Sequence, residues 1–402
     1  MIGTVGVIAL GTMLTVLLAA IAAWTVYHVV HLVHPVTFRR APEAFADSGG
    51  IPAKRFLILI PARNEAAVLD RVVQSVRHLT YPKAHYRVVV VADQCTDHTA
   101  AIAHSGGAEC LERVGGPGGK GQAIAWGLDQ LRDDPYDAVV ILDADSIVDA
   151  SILLALNRRL ALGQDVIQAD RRVLNADQSV LTRLYALAQQ LRIETFWAPK
   201  SDRGLSSIIF GSGFCLSRRI IADVGWTAFG VVEDWEYSLQ LVRAGHRVVL
   251  ARETWVSCEE PHSFGQGYRQ RVRWASGRYA VMARYGGGLL RDGIARRNLV
   301  LIDTGLTALT PNYSLLANLT LGGLGLSWLG HAHWGMWLPA AFLAALVSQV
   351  AYAAIGLVRL RPSGSSLLAL IAAPVYLCWV GAVSIRSAVW PRSVGWLQIR
   401  RS

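Results

Sequence analysis

In AVVILDADSIVD, Ala138 to Asp149, four apolar residues from Val139 to Leu142 run straight into Asp143, Ala144 and Asp145. The first half has the apolar, β-branched character of a strand buried on both faces. Burying an unpaired carboxylate is costly, and two of them one residue apart also repel each other. A positive group or water must therefore stand between them where the strand leaves the core. Two more bursts have the same form, FLILI (56–60) and RVVVVA (87–92). Helical patterns lie between the bursts at 65–79, 97–105 and 120–132, the last with Ala123, Ile124, Leu128 and Leu131 on its apolar side. Strands alternating with helices predict an α/β domain over 51–290, built on a mostly parallel sheet covered on both faces. Ligands of such sheets bind beyond the carboxyl ends of the strands. All three bursts end in polar groups there: Arg63, Asn64 and Glu65 after the first, Asp93 after the second, Asp143 and Asp145 after the third.

The rest of the 402 residues is oilier than a soluble enzyme, with 52% hydrophobic and 17% charged residues. Residues 1–34 predict an uncleaved transmembrane anchor, since Ile2 to Val33 carries no charge apart from its histidines. His28, His31 and His34 follow at spacing three and suggest a ring at the membrane interface, with a metal site as the lesser alternative. Arg39, Arg40, Lys54 and Arg55 come next, and the positive-inside rule then places the α/β domain in the cytoplasm. Residues 299–390 read as a second membrane region. Its runs 308–330 and 335–358 are span candidates. The third run, 366–390, contains Pro374 and Arg386 and precedes the basic tail 391–402 with Arg392, Arg400 and Arg401. Charge asymmetry favours two crossings, with the third run lying along the inner face or dipping in. The expected location is the inner or plasma membrane. The net charge of +10 suits anionic lipid or a phosphate-bearing substrate. Five cysteines without a CxxC pair argue against disulfides and zinc, and for a reducing compartment.

Three clusters carry chemistry. Asp143 and Asp145, on one side of a strand end, are within reach of one Mg²⁺ or Mn²⁺, which takes carboxylate, water and phosphate oxygens. Each could instead cap a helix. In VVEDWEYSLQL (231–241), Glu233 and Asp234 open a helix, where acids also suit the helix dipole. In QRVRWASGR (270–278), Arg271, Arg273 and Arg278 join phosphate-binding groups to the flat face of Trp274; a basic juxtamembrane face is the plainer explanation. Gly116, Gly118 and Gly121 fit G-x-G-x-x-G, but this fingerprint belongs on the first strand of its unit, so a dinucleotide oxidoreductase is only a remote alternative. No Ser or Thr follows Lys120, which excludes a P-loop. No basic aromatic strand face supports nucleic-acid binding.

Taken in order, ILIPARNEAAV (58–68), VVVVADQCTD (88–97), GGKGQAIAWGL (118–128), ILDADS (141–146), GSGFCLSRR (211–219), VEDWEYSL (232–239) and QRVRW (270–274) resemble the membrane-bound family 2 inverting glycosyltransferases. Their processive members make cellulose, chitin, hyaluronan and poly-N-acetylglucosamine. The resemblance covers about 55–280 and implies a nucleotide-sugar-binding domain of the GT-A type. Carried over by position, it implies that Arg63, Glu65, Asp93 and Lys120 bind the donor, with Asp93 near the uracil. Asp143 and Asp145 would hold nucleotide and metal, and Asp234 would be the catalytic base. Arg273 would meet the pyrophosphate. Gly213, Cys215, Gln270 and Trp274 would lie at the acceptor. The usual threonine before the acidic pair is Val232 here, which removes a hydroxyl from the acceptor side.

The implied reaction moves GlcNAc or glucose from a UDP-sugar to a growing β-linked polysaccharide or oligosaccharide. Lipid glycosyltransferases, with ceramide or polyprenyl-phosphate acceptors, resemble parts of the pattern and form the alternative. With so few C-terminal runs, a homodimer or a secretion partner would be needed to pass a long product.

Overall fold

The computed structural model describes residues 2–33 and 54–390; His34, Arg39, Arg40 and the tail 391–402 lie outside them. Helix α1 (Ile2–Val33) comes first. Then β1 (Phe56–Ala62), α2 (Leu69–Arg77), β2 (Tyr86–Asp93), α3 (Thr99–Ser105), β3 (Glu109–Arg113), α4 (Lys120–Gln130) and β4 (Ala138–Ile141) alternate. The α/β part continues with β5 (Ile147–Val148), α5 (Ile152–Ala161), β6 (Val166–Val173), α6 (Val180–Arg192), α7 (Ala198–Asp202), β7 (Phe214–Ser217), α8 (Arg218–Asp223), α9 (Glu233–Arg243), β8 (Val249–Cys258) and α10 (Phe264–Val281). After it come α11 (Gly287–Ala295), α12 (Leu299–Leu309), α13 (Tyr313–Leu329), α14 (His331–Trp334), α15 (Trp337–Leu360), α16 (Gly364–Ala369) and α17 (Ala373–Val389). A π-helical stretch, Ile193–Trp197, joins α6 to α7, and another, Met282–Gly286, joins α10 to α11.

The strands form one sheet in the order β3-β2-β1-β4-β7-β6-β8-β5. β2, β1 and β4 run parallel side by side, so the ends of the three bursts share one rim. β7 is antiparallel to both its neighbours, and β8 returns parallel to β6. Period-two alternation explains the burial of both faces. Phe56, Ile58, Ile60, Val90 and Val140 enter one core, while Leu57, Leu59, Val89, Val91, Val139 and Ile141 enter the other. Helix α2 covers the first core with Leu69, Val72, Val73 and Val76, a helical spacing of apolar residues. It begins later than the predicted residue 65 because the Glu65 carbonyl accepts the Val68 and Leu69 N–H groups, closing a turn before the helix. That turn leaves the residues after β1 on the rim.

Among the described residues, three helical segments are long and apolar enough to cross a membrane: Val5–Leu32, Trp337–Leu360 and Gly364–Val389. Of the predicted run 308–330, residues 308–309 end α12 and 313–329 form α13, which packs with α1 and α15 around Leu14, Ile21, Leu316, Leu338 and Phe342. The interfacial ring of histidines is corrected: His28 and His31 are buried, at 8% and 3% exposure. His28 Nδ1 bonds the Trp24 carbonyl at 2.7 Å, and His31 Nε2 faces Asp303 Oδ1 at 3.4 Å. Asp303 also takes Lys200 Nζ at 2.8 Å and the Tyr27 hydroxyl at 2.8 Å. These groups are buried inside the protein, so they do not face lipid headgroups, and the Tyr27 and Lys200 contacts to Asp303 fasten α1 and α7 to α12.

Candidate active site

The nucleotide side of the rim is built at the ends of β1 and β2. Asp93 has no exposed surface, and its Oδ1 receives Arg113 Nη1 at 2.5 Å. Its Oδ2 is buried without a hydrogen-bond partner among the described residues, an acceptor free to meet a ligand donor. Asn64 and Gln94 sit at φ 53° and 51°, a left-handed backbone uncommon outside glycine. Asn64 Oδ1 takes the Thr96 N–H at 2.6 Å, and Gln94 Nε2 reaches the Gly116 carbonyl at 3.2 Å. The glycine loop before α4 thus folds over the ends of both strands. A Cβ at Gly118 would overlap Arg63 Nη1, so the Arg63 guanidinium lies against that loop. The Glu65 N–H is held by Thr99 Oγ1 at 2.9 Å.

Lys120, the first residue of α4, reaches the centre of the rim. Its ammonium lies 2.5 Å from Asp143 Oδ1 and 3.4 Å from Glu233 Oε1, and it donates to the Gly211 carbonyl at 2.6 Å. Burial opposes its charge, but Asp143 and Glu233 outweigh burial and hold it above the ordinary lysine value. Gly211 is the point of convergence. A Cβ there would stand 3.4 Å from Asp234 Oδ2 and 3.9 Å from both Asp143 Oδ2 and Lys120 Nζ. Its φ of 88° also suits only glycine. Asp234 opens α9, and its Oδ1 accepts the Trp235 N–H at 2.8 Å. Burial, then repulsion from Glu233, pushes its carboxyl up to about 7, against the pull of Lys120. That is the value wanted in a general base near neutral pH.

Asp143, Asp145 and Cys258 bring ligand atoms within 4.8 Å of one another. Cys258 ends β8 and was not singled out in the sequence, because β8 reaches β4's end only through β5 and β6 pairing. Ser146 and Ser212 stiffen this corner. Ser212 Oγ receives the Asp143 N–H at 2.9 Å and lies 2.7 Å from Ser146 Oγ, which in turn lies 3.4 Å from Cys258 Sγ. Burial pushes the Cys258 thiol up to about 12. The two carboxylates are the oxygen donors that suit Mg²⁺ or Mn²⁺, with the Cys258 thiol beside them.

Helix α10 supplies the opposite wall. Arg273 faces Glu233, Asp234 and Asp143; burial holds it below the ordinary arginine value, against the pull of those acids. Gln270 lies three residues earlier, and its buried Oε1 has no hydrogen-bond partner among the described residues. Trp274 packs beside Val232 and Trp235, and the Arg271 guanidinium lies 5.5 Å from its ring centre. The structure does not bring Cys215 to the cleft: it has no exposed surface and fills the sheet core from β7. Gly213 is spent on the sheet as well. Its N–H bonds the Ile141 carbonyl and its own carbonyl takes the Ala169 N–H, both at 2.9 Å. Gly211 and Ser212, just before it, are the members of that loop that reach the centre.

A mixed, mostly parallel sheet with this rim is the GT-A fold. The structure is similar, at a TM-score of 0.56, to a mannosyltransferase from Pyrobaculum calidifontis solved with GDP-mannose and Mn²⁺; the match covers 95% of this chain and 99% of that one at 17% identity. The model of the glycosyltransferase-like family 2 matches residues 52–277, and the chain belongs to that family. It is 25% identical over 232 residues to the poly-β-1,6-N-acetyl-D-glucosamine synthase of Staphylococcus aureus (strain COL), covering 56% of this chain and 55% of that protein. It is 27% identical over 252 residues to the β-monoglucosyldiacylglycerol synthase of Synechocystis, covering 58% and 50%. The chain thus spans about half the length of the curated relatives it matches.

Proposed function

We propose that this chain transfers GlcNAc or glucose from a UDP-sugar to an acceptor hydroxyl at the cytoplasmic face of the inner or plasma membrane, inverting the anomeric centre. The convergence of Asp234, Asp143 and Lys120 on Gly211 carries the reading, since it joins a base to a diphosphate-binding corner. Asp93 Oδ2 would accept the uracil N–H, and Arg63 and Glu65 would line the nucleotide. Lys120 and Arg273 would offset the charge that develops on the departing UDP. Asp234 would take the acceptor's hydroxyl proton as the oxygen attacks the anomeric carbon. In-line attack turns an α-linked donor into a β-linked product. Asp143, Asp145 and Cys258 would hold the cation. Bound Mg²⁺ or Mn²⁺ supplies Lewis-acid neutralisation of the diphosphate.

Two acceptors suit this site. A β-linked polysaccharide or oligosaccharide would follow the relative named as a poly-β-1,6-N-acetyl-D-glucosamine synthase, and a glycolipid would follow the one named as a glucosyldiacylglycerol synthase. Membranes offered a panel of radiolabelled UDP-sugars with Mg²⁺ or Mn²⁺, followed by sizing and solvent extraction of the product, separate the two. Asp234→Asn is expected to abolish transfer while UDP binding persists; transfer at the parental rate would remove Asp234 as the base.

A further inference from the structure

The helix that carries Asp234 starts without the usual means of fixing its first turn. Val232, the N-cap of α9, has no side-chain oxygen to hold the N–H groups there. Glu236, one turn into α9, reaches back instead. It is 5% exposed, and its Oε2 accepts the Gly230 N–H at 3.2 Å. Its Oε1 accepts the Tyr285 hydroxyl at 2.9 Å and Arg284 Nη1 at 3.1 Å. At about 100° per residue, Glu236 lies about 200° around the helix from Asp234, so it points away from the reacting side.

These bonds act on loop 225–232, between α8 and α9. The loop runs back along α9 through further side-chain bonds: Thr227 Oγ1 donates to Gln240 Oε1 at 2.8 Å, and the Tyr237 hydroxyl donates to the Gly225 carbonyl at 2.8 Å. Gln240 Nε2 also donates to the Tyr285 hydroxyl at 3.0 Å, so Tyr285 joins two residues one turn apart on α9. Tyr285 is 9% exposed and belongs to the π-helical turn Met282–Gly286; such turns are frequent at functional sites. The other side of the loop bears the remaining helices of the site. A Cβ at Gly121, next to Lys120, would stand 2.3 Å from the Ala228 carbonyl oxygen. A Cβ at Gly277 would stand 3.2 Å from Val232 Cγ1, and Gly277 lies on the Arg273 face of α10, one turn later. The helices that present Lys120, Asp234 and Arg273 therefore all meet on this loop.

A base acts only from within hydrogen-bond reach, and a misplacement of about 1 Å can cost on the order of a hundredfold in rate. We propose that Glu236 is a positioning residue for sugar transfer: through Gly230 and the Tyr285 hydroxyl it holds loop 225–232, and with it the spacing of Asp234 from Lys120 and Arg273. This role rests on the function proposed above. The Arg284 side chain is 71% exposed, so its ion pair adds little, and the bonds to Gly230 and Tyr285 carry the role.

The full chain in membranes is titrated with UDP and Mn²⁺ to count binding sites, and transfer from the UDP-sugar it uses gives kcat per site and KM. Tyr285→Phe, which removes one oxygen from a buried ring, and Glu236→Ala should each lower kcat per site about tenfold, with KM and UDP affinity within about twofold of the parent. Glu236→Gln can still accept from Gly230 and donate to the Tyr285 oxygen, and should lose only about threefold. With an active parent, parental kcat per site in both Tyr285→Phe and Glu236→Ala overturns the positioning role alone. Fewer UDP-binding sites with kcat per site unchanged would mark a purely structural residue, and a rise in KM alone would mark a donor contact; either overturns it too. A glutamine variant as slow as the alanine one overturns the assignment to these two bonds. A parent that transfers no sugar from any UDP-sugar overturns the function proposed above and this role with it.

Discussion

Replacing Glu233 with glutamine should move the acid limb of the reaction's pH profile to lower pH. Asp234 rises from the ordinary aspartate value of 3.8 to about 7, a difference of roughly 4 kcal/mol in favour of the protonated acid. Burial is the largest cause and Glu233 the second. Glutamine keeps the size of the side chain and removes the like charge. It also frees the Lys120 ammonium, which lies 3.4 Å from Glu233 Oε1, to act more strongly on Asp234. Both changes favour the carboxylate, and together they should lower its titration by on the order of one pH unit, or about 1.4 kcal/mol. The assay is kcat/KM for the donor, which reports the free enzyme. At pH 6 a base titrating at about 7 is roughly one-tenth ionised, and one titrating at about 6 is half ionised. Relative to its own plateau, the variant should therefore be about fivefold more active than the parent at pH 6. Stability carries the same sign. The folded chain holds this proton more tightly than the unfolded one, so the contribution is full below about pH 4 and is lost as pH rises to about 7. An acid limb that stays in place, or moves upward, would refute Glu233 as the group that keeps Asp234 protonated.

Cys258→Ser exchanges a soft ligand for a hard one, so UDP titrations should lose about tenfold in Mn²⁺ dependence and less in Mg²⁺ dependence; an unchanged ratio of the two metals removes Cys258 from the cation site. Asp145→Asn should weaken both titrations together, and identical curves would exclude its carboxylate. Lys200→Met leaves Asp303 without the cation that lies 2.8 Å away and should cost about 3–5 kcal/mol in unfolding measurements. The double change Lys200→Met with Asp303→Leu should recover most of that loss, and a double variant no better than the single one would contradict an uncompensated buried charge.

The convergence of Asp143, Lys120 and Asp234 was legible because these residues, like Asp145, sit on sequence features with their own physics. Asp143 and Asp145 end a fully buried strand, Lys120 ends a glycine loop, and Asp234 opens an amphipathic helix. Each has a local reason to face the rim, and the parallel order β2-β1-β4 brings them together. Cys258 had no such signal. It terminates an ordinary strand and reaches Asp143 only because β8 pairs with both β6 and β5. Cys215 misled for the opposite reason: a loop match placed it at the acceptor, but strand alternation from Gly213 turns it into the core. The histidines of α1 were read against lipid, yet their partner Asp303 lies on α12 and no spacing rule connects the two.

Arg192 is the most instructive case of what local reasoning hides. A basic residue in the last turn of an amphipathic helix is ordinarily explained by the helix dipole, and α6 has that pattern. The explanation fails in three dimensions because α6 does not end there. The chain continues helically through Ile193–Trp197 into α7, and the Gln189 carbonyl is already taken by the Ile193 N–H. With no free carbonyl end to neutralise, the guanidinium of Arg192 serves no dipole. Its side chain is exposed, so water solvates the charge and the fold supplies no carboxylate for it among the described residues.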